Sequence, residues 1–112
     1  MESIRQQKVS RLLQKELGEM FRAESKNLFG GAFITVTTVR VSPDLGVAKV
    51  YLSILQPSDR DKVLEIVKAQ LFNIKRILAP KLKSQLRVIP DLSFFIDDSL
   101  DYAMRIEELL KK

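Results

Sequence analysis

The chain has 112 residues, 46% of them hydrophobic, which suffices for one core and one domain, 1–112. It has no cysteine and no histidine, so a disulfide framework, a thiolate metal site and the commonest general base are all excluded. Nineteen Lys and Arg face 14 Asp and Glu, a net charge of +5 that is compatible with a polyanionic partner such as nucleic acid.

Ser3-Ile4-Arg5-Gln6 fits a capping box, with Ser3 as cap and Gln6 at the third helical position. Val9, Leu12, Leu13, Leu17, Met20 and Phe21 follow at helical spacing. This predicts a helix over 3–25 that ends before Gly30-Gly31, although Gly18 weakens it by about 1 kcal/mol relative to Ala. Phe33–Ser42 is rich in β-branched residues and predicts a strand. Ile34 and Val36 share one parity and Val39 and Val41 the other, so a bulge near Thr37-Thr38 is needed to place all four on one face. Ser42-Pro43-Asp44-Leu45-Gly46 supplies a turn. Val47–Leu55 completes a hairpin, with Ala48, Val50, Leu52 and Ile54 on one face and Lys49, Tyr51 and Ser53 on the other.

Pro57-Ser58-Asp59 opens a further helix, capped by Ser58, whose inner face carries Val63, Ile66, Val67 and Leu71. The pattern restarts through Ile74, Ile77, Leu78 and Leu82, and Pro80 predicts a bend or fresh start between 72 and 80. Leu86, Val88, Leu92, Phe94 and Ile96 share one parity, which predicts a strand over Leu86–Asp97. Pro90 inside that run points to an edge or bulged position. Asp98 and Asp101 then stand at the start of a last helix over 99–111. The order α-β-β-α-α-β-α describes an α+β domain with a three-stranded sheet covered by helices.

Chemistry has few places to sit. At 100° per residue, Lys8, Arg11, Lys15, Arg22 and Lys26 fall within about 60° of arc on the first helix, a strip able to track a phosphate backbone. The ordinary alternative is a solvated face with Lys15 paired to Glu19. Lys75, Arg76, Lys81, Lys83 and Arg87 form a second basic cluster. Two clusters make nucleic acid the leading reading. Base stacking needs exposed aromatics, but for Phe72, Tyr51 and Phe95 packing is the expected role. A GxxG nucleotide clamp, a P-loop and a dinucleotide fingerprint are all missing, so no cofactor is expected. Asp97, Asp98 and Asp101 could form an acid or metal site only in a cleft where they converge; a helix cap needs nothing further, so no catalytic or metal site is assigned. No apolar stretch is long enough to span a bilayer and no secretory signal leads the chain, so a cytoplasmic protein is expected.

Three segments, with the amino-terminal helix, carry a resemblance. They are Val41-Ser42-Pro43-Asp44-Leu45 followed by Ala48-Lys49-Val50-Tyr51-Leu52-Ser53, then Leu86-Arg87-Val88-Ile89-Pro90-Asp91-Leu92-Ser93-Phe94, then Asp97-Asp98-Ser99. In their order and spacing they resemble ribosome-binding factor A over nearly the whole chain. The resemblance implies a type II KH-like fold and a monomeric, non-enzymatic assembly factor. Such a factor would bind 16S rRNA within free small (30S) ribosomal subunits and their precursors. It would assist late maturation of 16S rRNA, including its 5′ end, and support growth in the cold. The family breaks its helix pair at Ala-x-Gly; Leu71-Phe72-Asn73 stands there instead, and Asn73 is expected to keep a left-handed kink beside Phe72. The expected phosphate contacts are Lys8, Arg11, Lys15, Arg22, Lys75, Arg76, Lys81, Lys83 and Arg87. The competing reading is an adaptor that docks on a ribosomal protein or a GTPase, and a metal-dependent hydrolase built on the three aspartates is a third class.

Overall fold

The computed structural model describes residues 2–55 and 60–97. Within them the order is α1 (Ile4–Ala23), α2 (Ser25–Leu28), β1 (Ile34–Val41), β2 (Val47–Ile54), α3 (Arg60–Ala69), α4 (Leu71–Leu82) and β3 (Asp91–Ile96). The Ser58 cap, Asp98, Asp101 and the last helix of the sequence reading lie outside the described residues.

The capping box forms as the sequence indicates. Ser3 Oγ accepts from the Gln6 backbone N–H at 3.1 Å, and Gln6 Oε1 accepts from the Ser3 N–H at 2.8 Å. The same Gln6 amide donates to the Val41 carbonyl at 2.9 Å, so one buried side chain both starts α1 and ties it to the end of β1. The helix is shorter than 3–25: Glu24 leaves helical geometry and a single turn, α2, follows. Gly30 and Gly31 then adopt φ of 63° and 81°, left-handed values that glycine takes at little cost.

β1 and β2 pair antiparallel, and β3 adds to the other edge of β2 in parallel, giving the order β1-β2-β3. The register slips between Val36 and Thr38, so Thr37 is the bulge. Its effect is the expected one: Ile34, Val36, Val39 and Val41 are all buried. The carbonyl of Thr37 accepts from Gln14 of α1 at 3.3 Å, and the Thr37 hydroxyl donates to Asp97 Oδ2 at 2.5 Å. Asp97 thus fastens the end of β3 to the bulge in β1, a structural task.

Two boundaries differ from the sequence reading. The third strand begins at Asp91 rather than Leu86, because Pro90 has no N–H to give the ladder; pairing starts one residue later, when the Asp91 N–H donates to the Gly46 carbonyl at 2.9 Å. The parity drawn through Leu86 and Val88 therefore has no strand beneath it, and Val88 is 78% exposed. The helix break falls at Gln70, ahead of the 72–80 window, while Pro80 sits in the last turn of α4 without ending it. Gln70 has φ −92° and ψ 11°, a conformation open to any L residue, so neither glycine nor a left-handed Asn is required. Phe72 and Asn73 belong to the first turn of α4, and Asn73 braces the break by donating to Gln70 Oε1 at 2.6 Å.

The core lies on one side of the sheet. Leu13, Leu17 and Met20 of α1, Val67 of α3 and Ile74, Leu78 and Leu82 of α4 have no exposed surface, nor do Ala48, Val50 and Leu52 of β2. Phe21 links α1 to the rest, 5.0 Å from Phe29 and edge-on to Phe94 at 6.2 Å. No described element covers the opposite face of the sheet.

Candidate nucleic-acid interface

The strip on α1 follows from its buried face. Gln6, Val9, Ser10, Leu13, Leu17, Met20 and Phe21 are buried. At 100° per residue their mean direction lies about 170° from that of Lys8, Arg11, Lys15 and Arg22. All four cations are exposed, and none has an ion-pair partner among the described residues. The pairing of Lys15 with Glu19 does not form. Lys26 leaves the strip, because the helix ends at Ala23 and α2 resets the direction of its side chains.

The second basic cluster is not gathered into one surface. Lys75 lies beside the buried line of Ile74 and Leu78, is 38% exposed at its side chain, and reaches Asp91 of β3 at 3.5 Å. Arg76 and Lys83 share a side, while Lys81 projects about 140–160° away around the helix. Arg87 stands apart, in the segment between α4 and β3.

That segment nevertheless joins the two clusters. A groove of about 530 Å³ runs between the first turns of α1, the hairpin turn and residues 85–90. Arg5, Lys8 and Arg87 line it over an apolar floor that includes Leu45, Leu86 and Pro90. Arg5 lies outside the strip read from the sequence; its place one turn before Lys8 and Val9 on the helix is the signal that it shares their end of α1. Leu45 reaches the floor from a left-handed backbone, φ 62°, a conformation that costs a β-carbon residue about 1–2 kcal/mol. Asp44 is the one acid on the rim. The Ser42 hydroxyl donates to it at 2.6 Å and the Gly46 N–H at 3.0 Å, which holds its carboxyl below the usual range and keeps it ionised. Three cations and one anion leave the groove positive.

A second groove of about 280 Å³ lies further along the same helix, where Lys15 and Arg22 face β1 across Gly18. Phe33 borders it and is 61% exposed. The aromatics assigned to packing also prove open: Phe72 is 78% exposed and Phe95 41%. Phe72 sits on the outer side of α4's first turn, and Phe95 on the face of an edge strand that no described element covers.

The family model for ribosome-binding factor A matches residues 5–110. The chain belongs to the ribosome-binding factor A family. Ribosome-binding factor A of Cytophaga hutchinsonii is 45% identical over 112 residues, covering 100% of this chain and 84% of that protein. Its counterpart in Flavobacterium psychrophilum is 40% identical over 111 residues, 98% of this chain and 85% of the other. The crystal structure of the Thermus thermophilus protein superposes with a TM-score of 0.68 at 22% identity, covering 81% of this chain and 94% of that one, and shows the shared KH-like fold. A homology model of Thermus thermophilus ribosome-binding factor A, fitted into a cryo-electron-microscopy map of a 30S complex, matches with a TM-score of 0.62 at 26% identity over 78% of this chain and 89% of that one. Among the described residues no helix is long and apolar enough to cross a membrane.

Proposed function

We propose that this chain is a single-domain, non-catalytic assembly factor that binds the small (30S) ribosomal subunit through 16S rRNA and assists late maturation of that RNA, including its 5′ end. The observation that carries the reading is the strip of exposed cations on α1, which have no ion-pair partner among the described residues, lie opposite its buried face and run on to the positive groove at Arg5, Lys8 and Arg87. A fold needs no such strip for stability, whereas a phosphate backbone does need a line of cations. Family membership and the 30S complex of the Thermus relative point to the same partner. Work in the cytoplasm, growth in the cold and a monomeric state belong to the same proposal.

The test is co-sedimentation with purified 30S particles across a salt series. If six exposed cations (Arg5, Lys8, Arg11, Lys15, Arg22 and Arg87) each meet a phosphate, affinity drops about a thousandfold between 50 and 200 mM salt. A salt-insensitive complex, with crosslinks chiefly to protein, would instead favour the adaptor reading.

A further inference from the structure

The face of the sheet that no described element covers has an order of its own. Tyr51 of β2 pairs with Thr38 on one side and Phe95 on the other, which makes one row across all three strands. The rings of Tyr51 and Phe95 stack, with centroids 5.5 Å apart and planes inclined by 28°. The next row on this face is Arg40, Lys49 and Ser93. Two residues of strand separate the rows, about 6.6 Å. Both cations are exposed and lack an ion-pair partner among the described residues. Acids stand at the two ends of β3 on the same side, and both are engaged: Asp91 with Lys75, Asp97 with the Thr37 hydroxyl.

Folding accounts for only half of this arrangement. An aromatic cross-strand pair stabilises a sheet, but like charges directly opposite each other destabilise it. The Arg40–Lys49 pair is therefore a cost that an anion from outside would relieve. An exposed ring, Phe95, backed by Tyr51 and set beside two cations, suits a ligand that is flat in one part and anionic in the next, as an unstacked nucleotide is. We propose that this face is a second RNA surface, in which an unpaired base stacks on Phe95, itself backed by Tyr51, while Arg40 and Lys49 hold the adjoining phosphate. This rests on the reading that the chain binds RNA, and it adds recognition of a single strand to the phosphate tracking of α1. The surface also selects against a rigid duplex, whose bases present no free face.

A uridine octaribonucleotide, titrated into the full chain, is the probe. Phe95→Ala should weaken binding about five- to a hundredfold, the range one base–ring stack supports, while Phe95→Trp retains it. Arg40→Gln with Lys49→Gln should weaken it and flatten its salt dependence. In a Tyr102→Phe background, the octamer should quench the fluorescence of Tyr51. Affinity that stays within twofold in Phe95→Ala, while Lys8→Glu with Lys15→Glu loses it, overturns this proposal and spares RNA binding by α1. Loss in neither variant overturns both. A Phe95→Ala protein that melts lower yet binds the octamer normally also overturns the proposal, since the ring then packs against protein, either a partner or another part of this chain.

Discussion

α1 and α4 look alike in the sequence, each a line of apolar residues with cations close by (Lys8, Arg11, Lys15 and Arg22 beyond Arg5 on α1, and Lys75, Arg76, Lys81 and Lys83 along α4 to its C-cap), and the structure treats them differently. On α1 the cations recur at intervals of three, four and seven, the same period as the apolar line, so they collect on one side and face water. On α4 the spacings are one, six and eight from Lys75 to Arg76, Lys81 and Lys83, and the charges scatter around the helix. One of them, Lys75, is taken up by Asp91. A count of charges along the chain thus says little about a surface; the period of the charges relative to the buried face decides it.

That contrast can be broken most directly by charge reversal. Lys8→Glu with Lys15→Glu should weaken binding to 30S particles more than tenfold at fixed moderate salt, and Arg76→Glu with Lys81→Glu by a smaller factor, because the second pair cannot lie along one phosphate path. Co-sedimentation of both variants in parallel checks this, and an equal loss would mean that α4 belongs to the interface as fully as α1. A smaller effect tests the different fate of Lys75. A double-mutant cycle with Lys75→Ala and Asp91→Ala, read by denaturant unfolding, should give a coupling of about 0.2–1 kcal/mol, as for other exposed pairs; zero coupling would return Lys75 to the pool of free cations. The smallest effect concerns Asp44, the acid on the rim of the α1 groove. Its folded pKa lies below the unfolded one, so its contribution to stability is present above the ordinary carboxylate value and is lost as pH falls through the lower folded value. Asp44→Asn should lower the melting temperature slightly near neutrality and make its fall shallower between about pH 4 and the acid limit, so that the two proteins converge at low pH.

Much of the fold was legible because it is written in short-range periods. The capping box at Ser3 and Gln6, the bulge at Thr37 and the two faces of the hairpin each depend on residues within a few positions of one another. The third strand was overextended because parity continues through Leu86 and Val88, where Pro90 prevents pairing. Pro80 points to a later helix break than the one that forms, because a last-turn proline removes only one hydrogen bond while Gln70 bends the chain with an ordinary backbone. In the site, the α1 strip is legible from its period, whereas Arg5 lies off that strip and joins the groove only through the fold. The exposure of Phe72 and Phe95 is not legible in the sequence, because it is decided by the elements that cover a face.

By itself the sequence determined the capping box of α1, the bulge and two faces of the hairpin, and the family, since cap chemistry, alternation and motif spacing are all carried by neighbouring residues; it placed Ile66 on the inner face of α3, where the structure leaves it exposed. Only the tertiary structure decided that β3 lies parallel at the edge of β2. That placement sets Phe95 against Tyr51, takes Lys75 out of the basic surface through Asp91, and brings the segment holding Arg87 to the groove beside Arg5 and Lys8. The reason is physical: these contacts join residues far apart along the chain, and their register is set by how the helices bury one face of the sheet, which no local period encodes.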